Sequence, residues 1–438
     1  MATTATPINA DTFSTALTAT TLAATYTNLI LSATAAINGT GNTNNNTITG
    51  NSAVNQITGG AGNDTMDGGA SGDIYIIATS ADHGVAEIQD TGTNGTDELR
   101  FSSTTANQIL TVFAGDTGLE QVTIGTGTTA TATTSGTTAL SINATLAPNG
   151  LTIIGNNGAN TLTGTAFADT LIGNGGSDIL NGLSGDDLLN GGAGNDTMNG
   201  GDGSDIYLIA TSTDHAVAEI ADNGISGTDE LRFSSTTANQ TLTVFAGDTG
   251  LERVVIGNGT AASASTSGTT ALSINAAAAV NALTITGNDG ANTLTGSALA
   301  DTIIGNGGND TLNGGLGNDN LTGGTGADIF RFASVLNTST NVDRITDFTP
   351  TAVATTDRIQ LENTGAGLFT AITATGTLAA TAFVNGAAFT TATQRIRYDS
   401  GSGNLFYDAD GSGNGSASIL FATLNIGLDI NNTQFVVT

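Results

Sequence analysis

An acidic or amide side chain recurs every nine residues in three segments of this chain. In the fullest copies it ends a glycine-rich run, as in residues 191–196, Gly-Gly-Ala-Gly-Asn-Asp. Carboxylates repeated in this way suit the binding of hard cations, which prefer oxygen ligands. The recurring positions, called slots below, are Asn46, Asn55, Asp64 and Asp73; Asn160, Asp169, Asp178, Asp187, Asp196 and Asp205; and Asn292, Asp301, Asp310, Asp319 and Asp328.

An apolar residue follows each slot by two positions, as Leu189 follows Asp187. Because side chains alternate along a strand, a short strand centred on that residue points one side chain into a core. A glycine-rich turn then reverses the chain, and glycine allows the positive φ that such turns need. Two nine-residue units therefore form one 18-residue coil, and slots 18 residues apart, such as Asp178 and Asp196, stack on one edge.

Stacked slots bring carboxylates to the separation of neighbouring β-strands, roughly 4.8 Å. A bare column of this kind would repel itself. A cation between successive coils, held by carboxylates and backbone carbonyls, removes the repulsion, and calcium accepts about 6–8 such oxygens in flexible geometry. The pattern also matches G-G-x-G-x-D-x-U-x, the calcium-binding nonapeptide. Calcium is therefore the expected cofactor.

On these motifs the chain resembles repeats-in-toxin (RTX) proteins. The resemblance implies a parallel β-roll that folds on binding calcium and leaves the cell by type I secretion. It implies metal ligation by Asp64, Asp73, Asp178, Asp187, Asp196, Asp205, Asp310, Asp319 and Asp328, in turns containing Gly60, Gly62, Gly192, Gly194, Gly201, Gly203, Gly315, Gly317, Gly324 and Gly326. The turns before Asp169 and Asp301 lack the inner glycines, so we expect weaker sites there. Turns with asparagine in the slot should bind little or no metal.

A longer repeat encloses the nonapeptides, since residues 57–196 recur at 189–328 with a constant offset of 132. Between the nonapeptide blocks, alternating apolar residues such as Leu99 and Phe101 indicate further short strands. The predicted fold is all-β: one right-handed parallel β-solenoid in which calcium-binding β-rolls alternate with metal-free coils. Separate β-sandwich modules between the rolls are the alternative.

The sequence changes character after about residue 330, where the nonapeptides end and segments such as Asp343–Phe348 appear. This region is similar to the C-terminal secretion domain of serralysin-type RTX proteins, which implies a β cap and an uncleaved export signal. Its turn at Asp408–Gly411 is either a small calcium loop or an Asx turn. The predicted divisions are 1–40 (N-terminal partial repeat unit), 41–76 (first calcium β-roll), 77–154 (metal-free solenoid insert), 155–208 (second calcium β-roll), 209–286 (second metal-free insert), 287–331 (third calcium β-roll) and 332–438 (C-terminal cap and type I secretion domain).

The composition limits the cellular compartments and the binding partners that we expect for this protein. The net charge is −30, with eight basic residues and no lysine, which disfavours binding to nucleic acid or to anionic membranes. Cysteine is absent, and no apolar run approaches the length of a membrane span. The first residues lack the basic and apolar regions of a cleaved signal peptide. We therefore expect an extracellular or cell-surface protein that is exported without such a peptide.

Catalytic motifs are sparse. The sequence contains no H-E-x-x-H, no G-x-S-x-G and no P-loop, and His83 and His215 occupy one position of the 132-residue repeat, which we expect at a loop or strand end. The acid pair Asp97-Glu98 could act on sugars, but a structural role beside Arg100 is simpler.

We therefore expect a non-enzymatic, calcium-dependent structural protein that self-associates into a surface layer (S-layer), sheath or filament. A calcium-dependent adhesin or carbohydrate-binding module that contacts cell-surface polysaccharide is the alternative. A polysaccharide-modifying solenoid enzyme is more remote. The type I secretion machinery is the other expected partner.

Overall fold

The computed structural model describes residues 6–9, 12–15, 19–32, 34–127, 131–350, 356–365 and 368–438. The chain divides into two compact units, one formed by residues 1–207 and 221–227 and the other by residues 208–220 and 228–438. Short parallel strands wound into coils build both units, which confirms the predicted all-β solenoid class. Among the described residues, no helix is long and apolar enough to cross a membrane.

Strands of three to six residues make up the first unit. They are β1 (Thr6–Asn9), β2 (Thr12–Thr15), β3 (Ala19–Thr21), β4 (Asn28–Leu31), β5 (Asn38–Thr40), β6 (Thr47–Asn51), β7 (Gln56–Thr58), β8 (Thr65–Gly69), β9 (Ile74–Ile77), β10 (Glu98–Phe101), β11 (Ile109–Thr111), β12 (Gln121–Ile124), β13 (Ser141–Asn143), β14 (Thr152–Ile154), β15 (Thr161–Thr163), β16 (Thr170–Ile172), β17 (Ile179–Ser184), β18 (Leu188–Asn190), β19 (Thr197–Asp202) and β20 (Ile206–Ile209), the last of which crosses the boundary between the units.

Strand register in the second block follows the 18-residue period. Leu162, Leu180 and Met198 are aligned across the parallel strands β15, β17 and β19. On the other side of the coil Leu171 pairs with Leu189 across β16 and β18. All five side chains are fully buried. The apolar residue that follows each slot by two positions therefore forms the core, as the pattern predicts.

The first insert continues the coils instead of forming a separate module. Tyr75 of β9 is aligned with Leu99 of β10, then with Val122 of β12 and Ile153 of β14, in parallel pairs. β14 pairs in turn with β16 of the second block. The alternative of separate β-sandwich modules is therefore wrong for this segment.

The second unit repeats the arrangement and then changes it near the C-terminus. Its strands are β21 (Glu230–Phe233), β22 (Gln240–Thr243), β23 (Arg253–Ile256), β24 (Leu272–Asn275), β25 (Thr284–Thr286), β26 (Thr293–Thr295), β27 (Thr302–Ile304), β28 (Thr311–Asn313), β29 (Asn320–Thr322), β30 (Ile329–Phe332), β31 (Asp343–Ile345), β32 (Arg358–Leu361), β33 (Gly376–Thr377), β34 (Phe383–Asn385), β35 (Ile396–Asp399), β36 (Asn404–Tyr407), β37 (Ile419–Thr423) and β38 (Phe435–Val437). Short 3₁₀ helices occupy Ser80–Asp82, Ala380–Ala382 and Asn432–Gln434.

The coil ladder extends beyond residue 331, where the sequence pattern places its end. β29 pairs in parallel with β31, and β30 pairs in parallel with β32, which in turn pairs with β38. Only after Leu361 does the chain adopt a different topology, with an antiparallel meander of β35, β36 and β37. The nine-residue spacing ends after residue 331, although the coils continue, because longer loops separate the stacked strands there.

A matched pair of substitutions on β17 tests the burial pattern. Leu180 is fully buried, whereas its neighbour Ile179 on the opposite face is 46% exposed. We expect Leu180→Ala to lower the free energy of unfolding by about 2–5 kcal/mol, because it removes core contacts and leaves a cavity. Ile179→Ala should cost less than about 1 kcal/mol. Urea denaturation in saturating calcium measures both values, and equal losses would contradict the difference in burial between the two strand faces.

Candidate calcium sites

The slot side chains lie at the turns and connect one coil to the next. In each case Oδ1 of a slot aspartate accepts a hydrogen bond from the backbone N–H of the residue 18 positions earlier. The N–H of Asn160 donates to Asp178 (2.7 Å), that of Asp178 to Asp196 (2.8 Å), and that of Asp310 to Asp328 (2.9 Å). The nine aspartates that the motif predicts as ligands are at most 4% exposed. The fold thus holds a column of buried carboxylates.

The second carboxylate oxygen is not satisfied within the protein. Oδ2 is buried without a hydrogen-bond partner at Asp64, Asp73, Asp178, Asp187, Asp310, Asp319 and Asp328. A glycine five residues earlier leaves room beside it, and a Cβ atom on Gly314 would overlap Oδ2 of Asp319. A buried, unpartnered carboxylate oxygen is costly, because the protein replaces none of the hydration that the oxygen has lost. Oxygen donors in this state fit a bound calcium ion.

The residue four positions before the slot separates two classes of turn. In the first class, here called open turns, that residue has a positive φ. At the seven slots named above, Oδ2 in such a turn has no hydrogen-bond partner. Open turns precede all nine predicted ligands, and their residues at this position are Gly60, Gly69, Asn174, Leu183, Gly192, Gly201, Asn306, Gly315 and Gly324. The ten glycines predicted in the binding turns all have a positive φ. Asn174, Leu183 and Asn306 were not predicted, since only their register relative to the slot reveals them.

In the second class, here called closed turns, the same position donates its backbone N–H to the slot side chain. Thr165 caps Oδ2 of Asp169 with its N–H at 2.6 Å and its hydroxyl at 3.1 Å. Ser297 does the same for Asp301, at 2.6 and 2.9 Å. The structure therefore gives a different physical reason for expecting weak sites at Asp169 and Asp301 from the one inferred from sequence. Their carboxylates are already bonded, whereas the sequence argument rested on missing glycines.

Asparagine slots also form closed turns. Oδ1 of Asn160 accepts the N–H of Asn156 (2.8 Å), and its Nδ2 donates to the carbonyl of Leu140 (2.9 Å). Asn292 makes the equivalent bonds to Asn288 and Leu272, both 2.9 Å long. The neutral amide both accepts and donates a hydrogen bond, so an asparagine slot bonds to the rest of its turn and to the preceding coil without carrying a charge.

Burial raises the pKa values of the slot carboxyls well above their usual range. The pKa of Asp328 rises to about 6, those of Asp178 and Asp310 to about 7, and that of Asp187 to about 8. Hydrogen bonds from the backbone act in the opposite direction, and neighbouring carboxylates such as Asp196 beside Asp178 add to the rise. Protons therefore compete with a cation for these oxygens near neutral pH.

The acidic ladder continues past the nonapeptides. Oδ1 of Asp97 accepts the N–H of Asp73 (2.7 Å), 24 residues away. Oδ1 of Asp343 accepts the N–H of Asp319 (3.2 Å), again 24 residues away. Oδ1 of Asp357 accepts the N–H of Asp328 (3.0 Å), 29 residues away. A search at a spacing of nine cannot find these residues, because loops of variable length precede them.

Both histidines lie in irregular backbone, as the sequence predicts, and both belong to buried ionic clusters. Nδ1 of His83 lies 3.0 Å from Glu87, and its Nε2 lies 3.0 Å from Asp116. Burial alone would lower the pKa of His83, but the two carboxylates outweigh it and raise the pKa to about 9. His215 lies between Glu219 and Asp248 in the same way. Both ring nitrogens are thus engaged in holding the insert together.

The remaining acidic motifs also have structural partners. Glu98 of the Asp97-Glu98 pair binds the buried guanidinium of Arg100 at 2.6 Å. At the C-terminal turn, Oδ1 of Asp408 accepts the N–H groups of Asp410 and Gly411, which is the geometry of an Asx turn.

In a comparison with protein-family models, all three nonapeptide blocks match one model, described as "RTX calcium-binding nonapeptide repeat (4 copies)". The matched residues are 40–75, 154–189, 172–207, 284–298 and 295–330. The chain thus contains RTX calcium-binding nonapeptide repeats, and these form coils of its β-solenoid. A search of curated proteins finds no match. The RTX blocks contain every slot described above, while the individual ligand assignments remain predictions based on the geometry of the turns.

Two slots on one edge of the third RTX block provide a matched test of the two turn classes. Asp319→Asn keeps the Oδ1 acceptor for Asp301 but removes the charge and the uncapped oxygen. We expect it to raise the calcium concentration needed for half-maximal folding on the order of tenfold, equivalent to about 1.4 kcal/mol. Asp301→Asn removes no uncapped oxygen and should raise this concentration less, although it replaces one of the two oxygens that accept the N–H groups of Leu283 and Ser297. Circular dichroism during calcium titration measures both midpoints, and equal shifts would refute the distinction between open and closed turns.

The raised carboxyl pKa values predict opposite pH effects with and without calcium. The folded state binds more protons than the unfolded state between about pH 4 and 7, so calcium-free stability should fall as pH rises through this range. Calcium displaces those protons, so its apparent affinity should rise over the same range. Circular dichroism of calcium-free protein at about pH 5 and 6.5, with calcium titrations at both values, tests this. A calcium midpoint that does not depend on pH would contradict it.

Proposed function

We propose that this protein is a secreted structural protein that folds when it meets extracellular calcium and then assembles into a surface layer, sheath or filament. The observation that carries the proposal is the column of buried carboxylates with unpartnered Oδ2 atoms, within a chain of net charge −30. Without a cation the folded column is electrostatically unfavourable, so the chain stays unfolded where calcium is scarce. An unfolded chain suits passage through a type I secretion channel, and calcium outside the cell then drives folding.

The C-terminal region supports this route. Its antiparallel meander of β35, β36 and β37 differs from the coils and packs an aromatic cluster of Phe369, Tyr407 and Phe421, with ring centroids 5.1 Å apart. Phe421 also packs against Phe332 of β30, so the cluster joins the meander to the core of the coils. A cap that closes the last coil and carries the export signal, as the resemblance to serralysin-type proteins implies, fits such a region.

A structural role is supported by the ionic contacts of the acidic and imidazole groups. Glu98 is bound to Arg100, and both ring nitrogens of His83 face carboxylates. Side chains held in this way reinforce coils and are poorly placed to act on a substrate. We therefore propose a non-enzymatic protein.

Exposed apolar residues at equivalent positions of the 132-residue repeat support self-association. Val85 and Val217 are 75% and 71% exposed, and Phe167 and Leu299 are also exposed at one shared position. Large apolar side chains repeated on a surface mark contact sites, and identical sites on successive repeats suit contacts that propagate between copies. The apolar residues Leu29, Leu31 and Ile37 near the N-terminus are instead buried within their own coil.

Light scattering and electron microscopy test the assembly. We expect the wild-type protein to polymerise in millimolar calcium and the double variant Val85→Ser/Val217→Ser to fold but assemble less. Ile426→Ser is the matched control, because Ile426 is 70% exposed but lies outside the repeats. A wild-type chain that folds and stays monomeric in saturating calcium at all concentrations would overturn the proposal and favour the calcium-dependent adhesin.

A further inference from the structure

The junction between the first RTX block and the following insert brings three buried carboxylates together. Asp73 is the last slot of the block, whereas Asp90 and Asp97 come from the insert, which the sequence predicts to be metal-free. One oxygen from each residue lies within 4.8 Å of the other two. All three residues are buried, Asp73 completely. Neither Asp90 nor Asp97 belongs to a nonapeptide or to a matched segment.

Hydrogen bonds orient this cluster but leave it incomplete. Oδ1 of Asp97 accepts the N–H of Asp73 (2.7 Å). Asp90 accepts the hydroxyl of Tyr75 (2.5 Å) on one oxygen and the N–H of Gly92 (2.5 Å) on the other. Oδ2 of Asp73 has no partner although it is fully buried. The three side chains are therefore held in place around an oxygen that still needs a ligand.

The electrostatics of the cluster call for a cation. The charged groups that act on Asp73 are the carboxylates of Asp97, Asp90 and Asp67, all of the same sign. Burial, together with these neighbours, raises the pKa of Asp73 and that of Asp97 to about 7. A divalent cation would change this mutual repulsion into attraction, as it does in other carboxylate sites.

We propose that Asp73, Asp90 and Asp97 bind a calcium ion that joins the first insert to the RTX block before it. The donors are all carboxylate oxygens, which calcium prefers over nitrogen or sulfur ligands. The ion links the last nonapeptide coil to the insert coil and makes insert folding depend on calcium. The proposal rests on the calcium-dependent folding proposed above but not on assembly.

Tyrosine-sensitised terbium luminescence can detect an ion at this site in the full-length protein. Terbium replaces calcium at oxygen sites, and the hydroxyl of Tyr75 contacts the proposed ligand Asp90, so excitation of that ring should transfer energy to the ion. The chain has no tryptophan and five tyrosines, which keeps the background low. We expect wild-type emission that calcium displaces, and Tyr75→Phe should remove one component of it.

Substitutions in the insert decide which residues hold the ion. Asp97→Asn and Asp90→Asn should each lose the component that Tyr75→Phe removes, and the double variant Tyr75→Phe/Asp97→Asn should lose no more than Tyr75→Phe. The control Asp429→Asn removes an exposed carboxylate elsewhere and should keep the wild-type emission. Circular dichroism in saturating calcium checks that each variant folds, so that a failure of calcium-dependent folding itself is seen separately.

Two results would overturn the site. If Tyr75→Phe loses no emission, no ion lies beside that ring, whether or not the aspartate variants fold. If Tyr75→Phe loses emission but Asp90→Asn and Asp97→Asn retain it, the nonapeptide turn at Asp73 holds the ion alone. Should Asp97→Asn fail to fold, Asp90→Asn gives the same decision.

Discussion

The fold depends on buried carboxylates that are only half satisfied by the protein. Oδ1 of each slot aspartate accepts a backbone N–H from the coil before it, as in the bond from Asp178 to Asp196, and this bond sets the coil spacing. The same bond pulls the carboxylate out of water, so that its charge must be neutralised inside the protein. Removing one partner of a buried charged interaction costs several kcal/mol, which makes the cation part of the folded structure. The proposed dependence of folding on calcium thus rests on the way the coils are joined.

The order of the turn classes gives each RTX block a direction. Each block begins with two closed turns, at Asn46 and Asn55, at Asn160 and Asp169, and at Asn292 and Asp301, and open turns follow. Each block therefore starts with one 18-residue coil that needs no cation. This coil gives the next coil a finished edge on which to stack, so the calcium coils can form by addition to an existing template. The proposed ion at Asp73, Asp90 and Asp97 closes the first block at its other end.

The nine-residue spacing was enough to predict the coils, the buried face and the slots. It sufficed because a solenoid repeats local contacts, so that Leu180 and Leu189 each reflect the same environment as their neighbours one coil away. A weak site at Asp169 stays a prediction, but the capping of its carboxylate by the N–H and hydroxyl of Thr165 could be seen only from atomic positions. The carboxylates that extend the acidic ladder outside the repeat, Asp97 and Asp343, were missed because loops of variable length hide their register. Asymmetric packing, as around His83, leaves no periodic signal at all.

Anomalous diffraction from crystals grown in calcium would test the central claim most directly. We expect anomalous peaks beside the carboxylates of the open turns, at Asp64, Asp73, Asp178, Asp187, Asp196, Asp205, Asp310, Asp319 and Asp328, and no peak at the capped carboxylates of Asp169 and Asp301. Peaks of equal height at open and closed turns, or a fully ordered column without any peak, would contradict the view that the open turns place the ions and tie folding to calcium.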